Sequence, residues 1–285
     1  MKQLKLNQPL LSMLVFIITV FTTVNCNSQA YTKQELQDSL AKTPYFSIYK
    51  DNYFITGVPT NKKIESTSAN AKYQISFKQI LTRSRLPLDT YIYLTYTQKA
   101  FWNIYEGSFP FKDINFNPSI AIGKVIYDKQ ERLKGLATLS LEHESNGRDS
   151  IASRSWNRIS FEYTTNILKN TVATFKVWAP FAYKDGNPDL LEYTGLGEIN
   201  VMHTLIPDKI MFDLNLRKGL NFEGKGSVQS RVYYNPFNNN ISNQYLMLEW
   251  FVGQGEGLLN YQQSNSMIRL GYVIKTDELR WFRGK

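Results

Sequence analysis

His143 and Ser145 lie two residues apart in this chain, and their types could do covalent chemistry together. On an extended strand, side chains two apart share a face. A serine hydroxyl is a weak nucleophile until a base takes its proton, and histidine is the usual base. A third group must fix the imidazole tautomer and orientation. Asn157 is placed for that role. The segment leading to His143 carries Leu133, Gly135, Ala137, Leu139 and Leu141 on its odd face. The next carries Ser155, Asn157, Ile159, Phe161 and Tyr163 on its own. A hairpin centred near Ser150 sets His143 opposite Asn157, with Cβ atoms about 5 Å apart. Asn can orient an imidazole but cannot neutralise an imidazolium, so it is a weaker third member than Asp. Each signal alone is bland. A lone His-x-Ser on a strand is usually structural, Asn146-Gly147 is a good turn, and Arg154 and Arg158 read as ordinary charges near headgroups or inside a lumen. The convergence of His143, Ser145 and Asn157 on one apolar face is the specific feature.

The elements that must position them read as strands throughout. Two-residue alternation recurs, as in Ile210, Phe212, Leu214 and Leu216 against Met211, Asp213 and Asn215. The pattern predicts twelve strands, over 52–58, 72–82, 89–99, 117–127, 132–145, 154–167, 170–180, 194–206, 208–218, 224–235, 243–253 and 265–275. Most are long enough to cross a bilayer at a barrel's tilt. Connections alternate between mostly short and mostly longer, and Tyr and Phe recur near strand ends. These are marks of an all-β transmembrane antiparallel β-barrel with short periplasmic turns and aromatic girdles. A soluble β-sandwich or lipocalin-like barrel fits the loop alternation less well. In such a barrel the apolar face meets lipid, and a polar triad there calls for a reason. A nucleophile opening onto lipid implies a lipid substrate with an acyl ester. With both termini periplasmic, the fifth strand ends outside, so His143 and Ser145 sit at the outer leaflet.

Composition narrows the alternatives. The one cysteine rules out a disulfide framework and a cysteine-based metal site, and the two histidines leave little room for a His-rich cluster. The formal charge of +9 is spread without a basic stripe, so no nucleic-acid partner is implied. The surplus suits anionic headgroups or a polar lumen. The mean hydropathy of −0.35 does not argue for solubility, because alternating faces average out polar. Residues 1–30 read as a signal peptide, with Lys2 and Lys5, an apolar run over 10–24, and Ser28-Gln29-Ala30 before cleavage. Losing those two lysines takes the charge to +7. A retained anchor helix or a lipoprotein acylated at Cys26 are the alternatives. Residues 31–51 follow as a periplasmic N-terminal segment, 52–275 as the barrel, and 276–285 as a C-terminal tail.

His143-Glu144-Ser145-Asn146-Gly147-Arg148, followed by Ser153-Arg154-Ser155-Trp156-Asn157-Arg158, closely resembles the signature of the outer membrane phospholipase A family. Tyr96-Thr97-Gln98-Lys99 with Trp102 resembles its third-strand motif. Ser108-Phe109-Pro110-Phe111, Asn115-Phe116-Asn117-Pro118, Asp185-Gly186-Asn187-Pro188-Asp189 and Gly253-Gln254-Gly255-Glu256 extend the likeness over most of residues 45–275. The resemblance implies a twelve-stranded barrel of the bacterial outer membrane that hydrolyses sn-1 and sn-2 acyl esters of phospholipids and lysophospholipids. It implies a Ca2+ requirement and activation by reversible homodimerisation. By motif position Ser145 corresponds to the nucleophile, His143 to the base and Asn157 to the orienting residue. The calcium ligands correspond to the Arg148 carbonyl, Ser153 and, across the dimer, Ser108. Gln98 corresponds to a polar residue of the dimer interface.

Two features depart from the family pattern. Phe109 stands where the family commonly has a second serine, so any ligand from that serine is lost. The chain also continues past the last predicted strand to Lys285 instead of ending on an aromatic residue; either Phe282 serves or the last strand lies later. The competing functional reading is a non-catalytic outer-membrane pore or structural barrel.

Overall fold

Strict alternation leaves each strand with one apolar and one polar face, and the chain closes so that the polar faces meet inside. The computed structural model describes residues 31–82, 86–221, 223–237, 242–276 and 280–282. The expected signal peptide lies outside the described residues. The strands are β1 (Phe46–Ile48), β2 (Asn52–Pro59), β3 (Asn70–Ile80), β4 (Thr90–Trp102), β5 (Phe111–Tyr127), β6 (Leu133–Ser145), β7 (Ser155–Leu168), β8 (Thr171–Phe181), β9 (Gly197–Ile206), β10 (Ile210–Lys218), β11 (Gly226–Tyr234), β12 (Gln244–Gly253) and β13 (Asn265–Ile274). Sequential neighbours from β2 to β13 pair antiparallel, and β13 pairs back onto β2. The result is a closed twelve-stranded antiparallel barrel. β1 is an addition. It pairs with the lower part of β3, Phe46 opposite Gln79, while β2 takes the upper part. The sheet therefore begins at Phe46, earlier than the alternation alone suggests, and Phe46 packs on Phe77 with ring centroids 5.1 Å apart.

The outer wall is apolar. In β12, Leu246, Leu248 and Trp250 face out, and Tyr245, Met247, Glu249 and Phe251 are buried inside. The same division holds in β6, where Leu139 and Leu141 are half exposed and Glu142 is buried. An outward wall of this kind is stable only against lipid. Among the described residues no helix is long and apolar enough to cross a membrane.

Two strands differ usefully from expectation. β4 runs on to Trp102, and β5 starts at Phe111 instead of 117. The extra length pairs Trp102 with Phe111, whose rings stack at 5.0 Å. Asp113 and Asn115 in that overhang accept the amides of Leu259 and Leu258 at 2.9 and 3.1 Å. Residues 111–116 mix Lys112, Asp113 and Asn115 with apolar positions just after Pro110 and carry few strand signals, which is why alternation missed them.

At the opposite end from the β6–β7 loop lies helix α1 (Lys33–Lys42), opened by a capping box between Thr32 and Glu35. A single turn over Arg280–Phe282 docks on it, Trp281 Nε1 donating to Ser39 Oγ at 3.2 Å. Phe282 is buried there, and the last strand ends at Ile274 where alternation placed it.

Candidate active site

The β6–β7 hairpin carries the three residues whose types suggested chemistry. Its register pairs His143 with Asn157 and Ser145 with Ser155, which centres the hairpin at Ser150. His143 Nδ1 and Asn157 Oδ1 are 2.9 Å apart. An amide oxygen only accepts, so Nδ1 carries the proton and Nε2 keeps its lone pair. Ser145, two residues on, shares the outward face with His143. Beside them an apolar groove of about 740 Å³ runs over the outer wall. Leu94, Tyr96, Pro118, Ile120, Leu141 and Phe181 line it together with His143 and Asn157.

The inner face of the same hairpin is locked by ions. Arg158 donates to Glu142 at 2.7 Å and to Glu144 at 3.0 Å. Lys176 reaches Glu142 at 2.7 Å, and Trp156 Nε1 donates to Glu144 at 3.1 Å. The Arg158 guanidinium lies 4.2 Å from the Trp156 ring centroid. Arg158, a bland charge in the sequence, thus holds the wall behind His143 rigid.

The connection over 146–154 is not the two-residue turn that Asn146-Gly147 suggests. Asn146 is buried and staples the whole loop: Nδ2 donates to Ala152 O at 2.8 Å, and Oδ1 accepts from Arg154 N at 2.9 Å and from Arg148 N at 3.4 Å. Gly147 has φ +63°, and a Cβ there would meet the Phe116 ring at 2.8 Å. The loop sets the Arg148 carbonyl and Ser153 just past Ser145. The Arg148 side chain reaches across to Lys112 O at 2.7 Å. A second loop backs this one. Asn187 is fully buried, accepts Ser155 N at 3.1 Å and donates to Tyr183 O. A Cβ on Gly186 would meet Ser153 O at 2.4 Å, so that loop presses directly on the Ser153 backbone.

The remaining candidates lie on other strands. Gln98 faces outward on β4, opposite Phe116, which is itself opposite Ser145. Two strand spacings, roughly 10 Å, therefore separate Gln98 from Ser145 at one height. Its amide bonds Tyr73 OH at 3.2 Å and Tyr96 OH at 3.0 Å. Ser108 is exposed at the tip of the β4–β5 hairpin with φ +69°. That hairpin overshoots the Phe116–Ser145 level by five residues, about 17 Å of strand. The structure thus gathers His143, Ser145, Asn157, Arg148 and Ser153 on one hairpin and sets Ser108 on another. Asn146, Asn187, Asn117 and Glu144 also support the site; they bond to backbone or to inner-face partners, and no spacing rule marks such bonds in a sequence.

Among the described residues no group of three or more His, Cys, Asp or Glu side chains is arranged to hold a metal. What the 146–154 loop offers is oxygen, from the Arg148 carbonyl and the Ser153 hydroxyl. That donor chemistry fits a hard cation such as calcium and would not suit zinc.

The fold and site define a twelve-stranded outer-membrane barrel with a serine, a histidine and an amide on its lipid-facing wall. A sequence profile of the family described as Phospholipase A1 matches residues 28–274. The chain belongs to that family. It is 27% identical to phospholipase A1 of Escherichia coli strain K12 over 212 residues, covering 71% of this chain and 68% of that one. Phospholipase A1 of Salmonella typhimurium is 27% identical over 248 residues, 79% of this chain and 80% of its own. Among solved structures, outer membrane phospholipase A from Escherichia coli has a TM-score of 0.72 at 21% identity, over 86% of this chain and 99% of that one. A Salmonella typhi outer membrane phospholipase, a dimer with bound calcium, has a TM-score of 0.73 at 22% identity with the same coverage. The protein is a β-barrel of the bacterial outer membrane.

Proposed function

We propose that this protein is a calcium-dependent phospholipase A acting at the outer leaflet, on sn-1 and sn-2 acyl esters of phospholipids and lysophospholipids. The observation that carries the reading is the 2.9 Å contact between His143 Nδ1 and Asn157 Oδ1 on the lipid-facing wall, beside an apolar groove. An imidazole so oriented supports a role as base for the hydroxyl two residues on. Membership of the phospholipase A1 family supports the same chemistry.

In this mechanism the acyl chain lies in the groove and brings its ester carbonyl to Ser145. Ser145 Oγ attacks the carbonyl carbon while His143 Nε2 takes the hydroxyl proton. The Asn157 amide holds the imidazole in the tautomer that makes Nε2 the acceptor, and it accepts from Nδ1–H throughout. His143 then delivers the proton to the departing glycerol oxygen, leaving an acyl ester on Ser145. Water, activated by the same imidazole, releases the fatty acid and restores the hydroxyl. The Arg148 carbonyl and Ser153 would hold calcium beside Ser145, with Ser108 of the partner subunit. A bound calcium ion supplies positive charge to the oxyanion that develops at the ester. Gln98, on the outer wall near Ser145, would face the partner.

Fatty-acid release from phospholipid mixed micelles tests the reading, with calcium, with EDTA, and for Ser145→Ala. Release should require calcium and fall by about a thousandfold or more in Ser145→Ala. Unchanged activity in Ser145→Ala would sink the mechanism, and an inert wild type at millimolar calcium would favour a non-catalytic barrel. Ser108→Ala should raise the calcium needed by the dimer; an unaltered calcium titration counts against a ligand from the partner.

A further inference from the structure

Pro118 stands in β5 directly opposite His143. The β5–β6 register pairs Phe116 with Ser145 and Ser119 with Glu142, so 117 and 118 fall against 144 and 143. Proline brings no N–H to a ladder, and sheets normally confine it to edges. β5 is not an edge; it also pairs with β4, where Tyr96 faces Pro118. The backbone acceptor opposite a proline is the one put at risk, and here that is the carbonyl of His143. Asn117 Nδ2 donates to this carbonyl at 2.7 Å. The side chain next to the proline replaces the donor that the proline lacks. Pro118 meanwhile lines the groove beside the imidazole, with Leu94, Ile120 and Leu141.

We propose that Asn117 and Pro118 together form a positioning device for His143. The proline breaks the ladder next to the imidazole and gives the groove its wall there, where an acyl chain must pass. The Asn117 amide holds the length of main chain that the break leaves unsupported. Two amides then fix the base at two levels. Asn157 sets the ring, and Asn117 sets the backbone from which the ring hangs. Asn117 is a positioning residue, since it bonds His143 through the main chain. The role matters because a base displaced by about 1 Å loses on the order of a hundredfold in rate. The inference rests on the reading of His143 as the base of ester hydrolysis.

The test uses the full barrel in dioleoyl phosphatidylcholine–detergent micelles at saturating calcium. It compares the wild type, Asn117→Ala, Pro118→Ala and the double variant, with the folded fraction followed by heat-modifiable gel mobility. Asn117→Ala should lower kcat about 10- to 100-fold with KM within about twofold of the wild type. Replacing Pro118 with alanine restores a backbone N–H opposite His143. In the Pro118→Ala background, Asn117→Ala should therefore cost less than about threefold. A rescue by a second substitution is not expected of lost packing, which would add. If Asn117→Ala does not fold, Asn117→Leu, close in shape and without a donor, takes its place. A kcat within twofold of wild type for Asn117→Ala, or a double variant no better than it, overturns the proposal.

A second readout does not depend on turnover. The chain has two histidines, and His203 on β9 is an internal reference, its Nδ1 2.8 Å from Thr171 Oγ1. In barrels carrying 13C-labelled histidine, Asn117→Ala should move or broaden the ring signal of His143 and leave that of His203. An unmoved His143 signal overturns the proposal. If the wild type releases no fatty acid, the phospholipase reading fails, while this readout still decides whether Asn117 positions His143.

Discussion

At His143 the nitrogen facing Asn157 is committed, because an amide oxygen can only accept. Truncating that amide frees the ring to rotate and to exchange tautomers without touching the nucleophile. Under the proposed mechanism Asn157→Ala should lower kcat by about 10- to 100-fold, with a smaller change in KM, measured as fatty-acid release from micelles. A variant within twofold of wild type would remove Asn157 from the mechanism. The outward trio was legible in the sequence because alternation and one hairpin centre suffice to superpose His143, Ser145 and Asn157. Asn146 and Asn117 were not legible. Asn146 looked like half of a tight turn, yet it bonds three backbone groups across a nine-residue connection. Side chains that bond backbone carry no periodic signature, and only the folded loop reveals what they hold.

Under the proposed function, the loops at the outward end carry the oxygen donors of the site. The 146–154 loop depends on Asn146, whose loss would leave the Ala152 carbonyl and the Arg148 and Arg154 amides short of partners. These groups are only partly buried, so each costs less than the roughly 1–3 kcal/mol of a fully buried one. Under the proposed calcium dependence, Asn146→Ala should raise the calcium concentration for half-maximal activity by about tenfold while the barrel stays folded; an unaltered calcium titration would show that the loop holds its shape without the staple. The second loop adds a pH dependence. Tyr261 and Gln262 donate to the carboxylate of Asp189, Gln262 at 2.7 Å. Burial alone would push Asp189 up, but those two bonds outweigh it and hold the carboxyl below its ordinary 3.8. Burial and the same bond push Tyr261 up. A lowered folded value means the contribution is complete above the unfolded value and is lost as pH falls through the folded one. Amide protection over 182–194 and 254–262 should thus hold at pH 6 and weaken below about pH 4, a change that Tyr261→Phe should blunt. The twelve barrel strands were readable, the short β1 was not, and strand ends were the weak point. β5 is the example. Its first six residues mix Lys112, Asp113 and Asn115 with apolar positions just after Pro110, and they join the sheet because β4 pairs with them and the 254–262 loop, far away in sequence, bonds Asp113 and Asn115.

The closed barrel brings together faces that no local pattern relates. Toward the outward mouth, Lys72, Glu249 and Arg269 are within 1% of complete burial. Lys72 pairs with Glu249 and, at 3.0 Å, with Glu256. Arg269 donates to Glu256 at 2.6 Å and to Asn70 at 3.0 Å, and Arg231 to Glu249 at 3.1 Å. At the other end Tyr53, Ile55, Met202, Met211, Tyr233, Tyr245, Met247 and Val273 form a buried apolar cluster inside the wall. A polar cavity of about 360 Å³ is lined by members of both, Lys72 and Glu256 from one and Tyr53 and Tyr233 from the other. The alternation that exposes Leu248 and Trp250 to lipid also sends Met247 and Glu249 inward, so wall and filling are written by the same strands. Which inward residue meets which is decided by closure, and the sequence gives no hint of Lys72 meeting Glu249 across 177 positions. Ion pairs at one mouth and apolar side chains at the other narrow the lumen among the described residues. Reconstituted in planar bilayers, the wild type should give no steady porin-like conductance, and a sustained open level would revive the pore reading. Glu249→Gln sharpens the point. It leaves Lys72 and Arg269 on the single carboxylate of Glu256 and Arg231 with Asp213 alone, and stranding a buried charge costs about 3–5 kcal/mol. Urea unfolding in micelles should show a loss of that size, and a variant as stable as the wild type would mean water already reaches these charges and the mouth is open.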